Sequence, residues 1–325
     1  MSYYSPAVST LVSVSLIAAI LFSRLRTKIQ DIPNERSLHV APTSRIGGIG
    51  LMLGVLSGWV LLSGVVTWWL LLPLILLFAV SLLDDMHNLP VTQRLLAQLV
   101  AAAILVAGAD LFIRYGVVTA LVVLLFTVWM TNLYNFMDGS DGLAGGMALF
   151  GFTFYGIAAL FVHDEAFAML NFSVAAAALG FLFFNFPPAR IFMGDAGSIP
   201  LGFLSAALGL WGWQEGCWSA WFPLLVFSPF LVDASITLLR RSLRGAKVTE
   251  AHREHYYQRL VQAGWKHRDV ALAEYVLMLA VGVSALPVSH QAFPWLVFIA
   301  WAGIYAMLML MVDAKWKKFQ RKENA

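Results

Sequence analysis

Long apolar runs separated by short polar breaks set the rhythm of this chain. Eleven runs have the length of a bilayer-crossing helix, at roughly residues 5–23, 47–65, 67–83, 95–113, 116–134, 143–162, 166–184, 198–213, 218–238, 270–287 and 292–312. About 20 apolar residues rising 1.5 Å each match a hydrocarbon core about 30 Å thick. The runs are continuous rather than alternating, so they predict helices and not the dyad strands of a membrane β-barrel. The split between the second and third runs rests on Ser63, Gly64 and Thr67. The predicted fold class is all-α: a polytopic transmembrane helix bundle of about eleven spans, forming one integral-membrane domain over residues 1–325.

Composition agrees. Hydrophobic residues make up 60% of the 325 positions and charged residues 12%, against about 25% charged in soluble domains. A single cysteine, Cys217, excludes an intramolecular disulfide. Basic residues follow the first run with no small-residue cleavage site, which predicts a retained span rather than a removable signal peptide. Of 21 Lys and Arg residues, 20 fall in the odd-numbered loops or the C-terminal tail, Lys28 and Arg36 among them; the exception is Arg114. The positive-inside rule then puts the odd loops and the C-terminus in the cytoplasm and the N-terminus outside. The net charge of +3 reports topology and calls for no nucleic-acid partner.

The same sorting gathers the unusual polar residues at one end of the bundle, in loops at about 24–46, 84–94, 135–142, 185–197 and 239–269. The even loops, such as "SGVVT" and "VHDEA", are short and plain. Asp84 and Asp85 end the third run, where two carboxylates oppose the helix macrodipole unless a cation reverses the sign. "NFMDGSDGLAGG" holds Asn135, Asp138 and Asp141 among glycines; one aspartate can cap the next helix, which leaves the second without a structural role. In "FNFPPARIFMGDAGS", Asp195 lies between Gly194 and Gly197, and Ser198 with the following amides offers a helix N-terminus receptive to phosphate. His252 and His255 stand three apart in "AHREHYYQRL", among Arg240, Arg241, Arg244, Arg253 and Arg259. With no third histidine at ligand spacing, that group suits a phosphate-rich anion better than zinc. Asp233, inside the ninth run, either pairs with Arg240 or Arg241 or lines the site. The tail "KWKKFQRKENA" reads as a topogenic anchor. Carboxylates, a helix N-terminus and basic loops at one membrane surface are an inventory for phosphoryl chemistry on a membrane-borne substrate.

The ordered set "DDMHN", "NFMDGSDGLAGG", "FNFPPARIFMGDAGS" and "HREH" resembles the polyprenyl-phosphate N-acetylhexosamine-1-phosphate transferases (glycosyltransferase family 4) over roughly residues 31–260. The resemblance implies transfer of a sugar 1-phosphate from a UDP-N-acetylhexosamine to undecaprenyl phosphate in the bacterial inner membrane, with UMP released and Mg²⁺, or Mn²⁺ in its place, required. It assigns Asp84, Asp85 and Asp195 to catalysis, with Asp195 and Asp85 toward the metal. Asn135, Asp138, Asp141, Asn185 and Phe192 fall to the nucleotide pocket, and His252 and His255 to donor recognition. Arg45 and Arg94 resemble the family's basic positions. The "HREH" loop departs from the three-histidine pattern of the peptidoglycan enzyme. That points to the O-antigen-initiating branch, with a phospho-N-acetylmuramoyl-pentapeptide-transferase-like enzyme as the alternative. The donor sugar stays open among GlcNAc, GalNAc, FucNAc and QuiNAc, and a homodimer is one assembly open to the chain. A secondary transporter would place ionisable groups near the bilayer midplane, whereas here the run centres are almost free of them. A headgroup-binding scaffold would need basic loops but not three acidic, glycine-rich ones.

Overall fold

The computed structural model describes residues 3–27, 29–33, 38, 42–247 and 252–323. Lys28, Arg36 and residues 248–251 of the last long loop lie outside the described residues. Thirteen α-helices follow in order among the described residues. They are α1 (Ser5–Phe22), α2 (Gly47–Val60), α3 (Trp68–His87), α4 (Val91–Gly108), α5 (Leu111–Phe136), α6 (Leu143–Phe161), α7 (Glu165–Asn185), α8 (Asp195–Gln214), α9 (Phe222–Val226), α10 (Ser228–Leu243), α11 (Tyr256–Gln262), α12 (His267–Ala285) and α13 (Trp295–Glu323). One two-residue antiparallel ladder, β1 (Gln30–Asp31) with β2 (Thr43–Ser44), closes the loop after α1. Eight helices, α1, α3 to α7, α12 and α13, are long and apolar enough to cross a membrane. The chain is a polytopic helical membrane protein.

Every predicted run contains a helix, and two differ from expectation. The second ends at Val60, so α2 has 14 residues, followed by turns through Ser63 and Gly64. The ninth is broken: α9 stops at Val226 and α10 starts at Ser228. Pro229 explains the break, because its ring collides with the carbonyl four residues back and it has no N–H to donate. It sits in the first turn of α10, where neither cost applies.

The bundle is layered by neighbour packing. α1 lies against α2 and α7, α6 against α7, α3 against α4 and α8, and α5 against α8. α1 presents Ser5, Ser9 and Ser13 as a buried seam of small side chains, the pattern that lets membrane helices approach closely. α8 is buried along nearly all its length and forms the central post.

The backbone around Gly48 fixes the start of that post. Gly47 N–H donates to Phe192 O at 2.9 Å, Gly48 N–H donates to Met193 O at 2.8 Å, and Phe192 N–H donates to Ser44 O at 2.7 Å. A methyl group on Gly48 would lie 2.6 Å from Gly197 Cα and 2.7 Å from Met193 O, backbone atoms that cannot rotate away. Gly48→Ala is therefore expected to cost about 1–3 kcal/mol. Gly303→Ala on α13, where a methyl meets nothing within 4 Å, should be neutral. Thermal unfolding in detergent checks this; equal melting of the two variants would overturn the packing argument.

Candidate active site

α3 and α8 pack side by side in opposite directions, with Trp69 against Trp211 at one end, so that the C-terminus of α3 lies beside the N-terminus of α8 at the other. That junction is the centre of the site. At the C-terminus of α3, Asp84 Oδ1 accepts from Leu89 N–H at 2.6 Å and Asp84 Oδ2 from Arg94 Nη1 at 3.0 Å. Asp85 reaches across to α8. Its Oδ1 accepts from Asp195 N–H at 3.2 Å and its Oδ2 from Ala196 N–H at 2.9 Å. Arg45 donates through Nη2 to the Asp85 carbonyl at 2.6 Å, with its Nε 3.7 Å from Asp85 Oδ1. Arg94 also lies 3.5 Å from Asp195 Oδ2. The structure thus brings Asp84, Asp85, Asp195, Arg45 and Arg94 together at one junction.

The helix N-terminus differs from expectation. Asp85 already holds the first two amides of α8, and the next two turn inward, with Gly197 N–H and Ser198 N–H both donating to Gly194 O. Ser198 Oγ donates to Asn135 Oδ1 at 2.8 Å. The amides expected to receive a phosphate are therefore occupied.

Burial separates the roles of the carboxylates. The Asp85 side chain is 1% exposed and that of Asp195 is 22% exposed, so Asp195 is the more open to a ligand, while Asp85 shows only an edge to the cavities it lines. Three carboxylates face two guanidinium groups, and a fourth carboxylate stands nearby. Burial and the charges of Asp195, Asp85 and Asp141 push the Asp138 carboxyl well above the usual carboxylate range. This surplus of hard oxygen donors suits a divalent cation. Among the described residues no three His, Cys, Asp or Glu side chains form a ready metal cage. Mg²⁺ typically uses one or two carboxylates and completes its shell with water and substrate phosphate, so the donor set fits that ion.

The loops after α5 and α7 are tied to each other. Asn185 Oδ1 accepts from Gly142 N–H at 2.8 Å, and Asn185 Nδ2 donates to Ile191 O at 2.9 Å. Asp141 Oδ2 accepts from Ala189 N–H at 2.9 Å. Gly142 has φ +77°, a left-handed conformation that a side chain would strain. Both aspartates of "NFMDGSDGLAGG" are thereby accounted for, since Asp141 holds the neighbouring loop while Asp138 faces a polar cavity. That cavity, about 170 Å³, is lined by Asn135, Asp138, Asp141, Asn185, Phe192 and Asp195 among others.

A second opening, a groove of about 570 Å³, runs from Asp84, Arg94 and Asp195 along apolar walls that include Leu77, Val80, Leu95, Val128 and Ile199. His252 and His255 line its polar end. A third cavity, about 210 Å³, touches Arg45, Asp84, Asp85 and Arg94. Asp195 lines all three.

The histidine loop is built on Asp233. Its Oδ1 accepts from Tyr256 N–H at 2.9 Å and Thr237 Oγ1 at 3.1 Å, and its Oδ2 accepts from Tyr257 N–H at 3.1 Å. His255 Nδ1 lies 3.3 Å from Asp233 Oδ1. Asp233 thus caps α11, and of the two roles expected for it, pairing with Arg240 or Arg241 and lining the site, it takes neither. Burial, with His255 and Arg241 beside it, lowers the His252 imidazole to about 4, which leaves it neutral at pH 7. The arginines differ from expectation too. Arg240 and Arg259 pair with Asp313 at 2.7 and 2.9 Å, and Arg241 and Arg244 pair with Glu254. They brace the loop rather than surround the histidines as a free anion site. Through Asp313, α13 is part of that brace.

Sequence reasoning missed His267, whose Nδ1 lies 2.8 Å from Ser140 Oγ and which lines the polar cavity with Asp31 and Leu38. The signal for it was its position in the same loop as His252, one residue after Lys266.

Asp233→Asn should loosen α11 by leaving an amide N–H facing an N–H. Hydrogen exchange at Tyr256 and Tyr257 is expected to speed up roughly tenfold to a hundredfold, about 1–3 kcal/mol. Unchanged protection would show that α11 is held without its cap.

The family model for glycosyl transferase family 4 matches residues 67–212, from α3 to α8. A probable undecaprenyl-phosphate N-acetylglucosaminyl 1-phosphate transferase of Bacillus subtilis is 30% identical over 337 residues, covering 96% of this chain and 93% of its own. A decaprenyl-phosphate N-acetylglucosaminephosphotransferase of Mycobacterium tuberculosis is 30% identical over 306 residues, covering 80% of this chain and 75% of its own. A phospho-N-acetylmuramoyl-pentapeptide-transferase of Listeria welshimeri is 31% identical over 154 residues, covering 46% of this chain and 45% of its own. With a relative aligned along almost its whole length and the acidic motifs gathered at one junction, the chain belongs to glycosyl transferase family 4, the superfamily of polyprenyl-phosphate sugar-phosphate transferases.

Proposed function

We propose that the protein transfers an N-acetylhexosamine 1-phosphate, N-acetylglucosamine 1-phosphate first among them, from a UDP-sugar to undecaprenyl phosphate. The product would be undecaprenyl-pyrophosphoryl-sugar, the initiating intermediate of O-antigen or another cell-surface polysaccharide. One observation carries the reading: Asp195 is the shared wall of a polar cavity and of an apolar-sided groove. A water-soluble donor and a lipid acceptor can meet there.

The reaction follows from that placement. The polyprenyl chain lies along Leu77, Val80, Leu95 and Val128, and Arg94 holds its phosphate at the mouth. The donor occupies the polar cavity with its base on Phe192 and its pyrophosphate toward Asp195. An oxygen of the lipid phosphate attacks the β-phosphorus, the bond from that phosphorus to the bridging oxygen breaks, and UMP leaves with the electron pair. A phosphate monoester is already anionic near neutral pH, so positioning and charge stabilisation dominate the rate over base catalysis. Asp195 and Asp85 would hold Mg²⁺, or Mn²⁺ in its place. When bound, the metal supplies Lewis-acid neutralisation of the pyrophosphate charge. Asp85 keeps a lone pair on each oxygen beyond those given to α8, and Arg45 balances its charge.

The branch and orientation belong to the same proposal. N-acetylglucosaminyl relatives align along most of the chain and the pentapeptide transferase along less than half, which supports the polysaccharide-initiating branch. The basic-residue asymmetry supports eleven spans in the inner membrane, with the N-terminus outside and the site facing the cytoplasm; α2, α8 and the α9–α10 pair supply the spans beyond the eight long ones.

Purified protein, undecaprenyl phosphate and a panel of UDP-sugars, with Mg²⁺ or EDTA, test the proposal through UMP release. Asp195→Asn should lower release at least about a hundredfold with unchanged thermal unfolding; near-wild-type turnover would remove its assignment. Phe192→Ala should raise the donor KM roughly tenfold with less effect on kcat, the loss of one base stack. An unchanged KM would mean that the base sits elsewhere. Silence with every sugar would overturn the whole reading.

A further inference from the structure

A separate cavity of about 660 Å³ opens between the end of α10, the start of α11 and the tail of α13. Arg240, Arg244, Arg259 and Lys317 line it against two carboxylates among the described residues, Glu254 and Asp313. Two positive charges are left over in that lining. The Arg259 side chain is 8% exposed, and its buried Nε has no hydrogen-bond partner among the described residues. That Nε is sealed from the cavity; the charge within reach of an anionic oxygen is on Arg244, whose side chain is 60% exposed.

The level of the cavity in the fold narrows the ligand. α10 changes from apolar to basic at Leu239 and Arg240, and α13 changes from apolar to charged at Val312 and Asp313. Leu239 and Leu243 are 55% and 78% exposed on the outer side. Trp316, which also lines the cavity, is the amphipathic ring enriched where hydrocarbon meets headgroup. Basic residues at that level attract anionic headgroups. We propose that the headgroup of an anionic phospholipid binds here, its phosphate among Arg240, Arg244 and Arg259 and its acyl chains along Leu239 and Leu243. The site lies apart from the Asp195 cavities and does not depend on the transferase reading.

The full chain in nanodiscs of phosphatidylcholine and phosphatidylglycerol tests this by native mass spectrometry of the lipid it retains. Wild type should keep phosphatidylglycerol in preference to phosphatidylcholine. The double variant Arg244→Gln, Lys317→Gln should retain roughly tenfold less or lower, and Arg114→Gln near the start of α5 should match wild type. Equal retention of the two lipids, an equal loss in Arg114→Gln, or displacement by inorganic phosphate would overturn the proposal. If the double variant melts early, brominated phosphatidylglycerol provides a second measurement. It should quench a fluorescence component that disappears with Trp316→Phe; identical quenching in both proteins would refute the site.

Discussion

The contact on which the site depends is the Asp85 carboxylate on the first amides of α8. A helix C-terminus repels a carboxylate and a helix N-terminus attracts one. Asp85 belongs to the first by sequence and to the second by contact, since it ends α3 and accepts from Asp195 and Ala196. The unfavourable position on one dipole is offset by the favourable position on the other, and two orphan amides gain an acceptor. The contact also sets a distance: once α3 and α8 are joined there, Asp84 and Asp195 must lie close enough to share Arg94.

The acidic pairs divide their work in the same way. Asp85 is nearly buried on the amides of α8 and Asp195 is more open; Asp141 ties down the loop after α7 and Asp138 faces the cavity. Asn185 spends both ends of its amide on the backbone of Gly142 and Ile191. In each case one polar side chain fixes the backbone so that another can remain without a full set of protein partners. Such rigid support is what holds a reacting group in place.

Much of this was legible in the sequence, because run length and charge asymmetry are local properties. The helices, their shared polar end and the grouping of Asp84, Asp138 and Asp195 follow from them. Asp233 and the arginines were not legible. Asp313 is 73 residues from Arg240 and 54 from Arg259, and nothing local in a basic loop reveals an acidic partner arriving on the last helix. The capping role of Asp233 depends likewise on α11 folding back over α10. The break at Phe227 was readable in Pro229, but an apolar run masks a proline that a polar one would expose.

A transferase that joins a polyprenyl phosphate to a sugar phosphate must serve two solubilities at one atom. Apolar walls can come only from the sides of spanning helices, and polar walls only from their ends and loops, because unpaired backbone is costly in hydrocarbon. The reacting centre is thereby confined to a rim where a helix end meets a helix side. In the proposed reading, α3 ending and α8 beginning at the same point provides that rim, and Ile199, one turn inside α8 from Asp195, already belongs to the apolar groove.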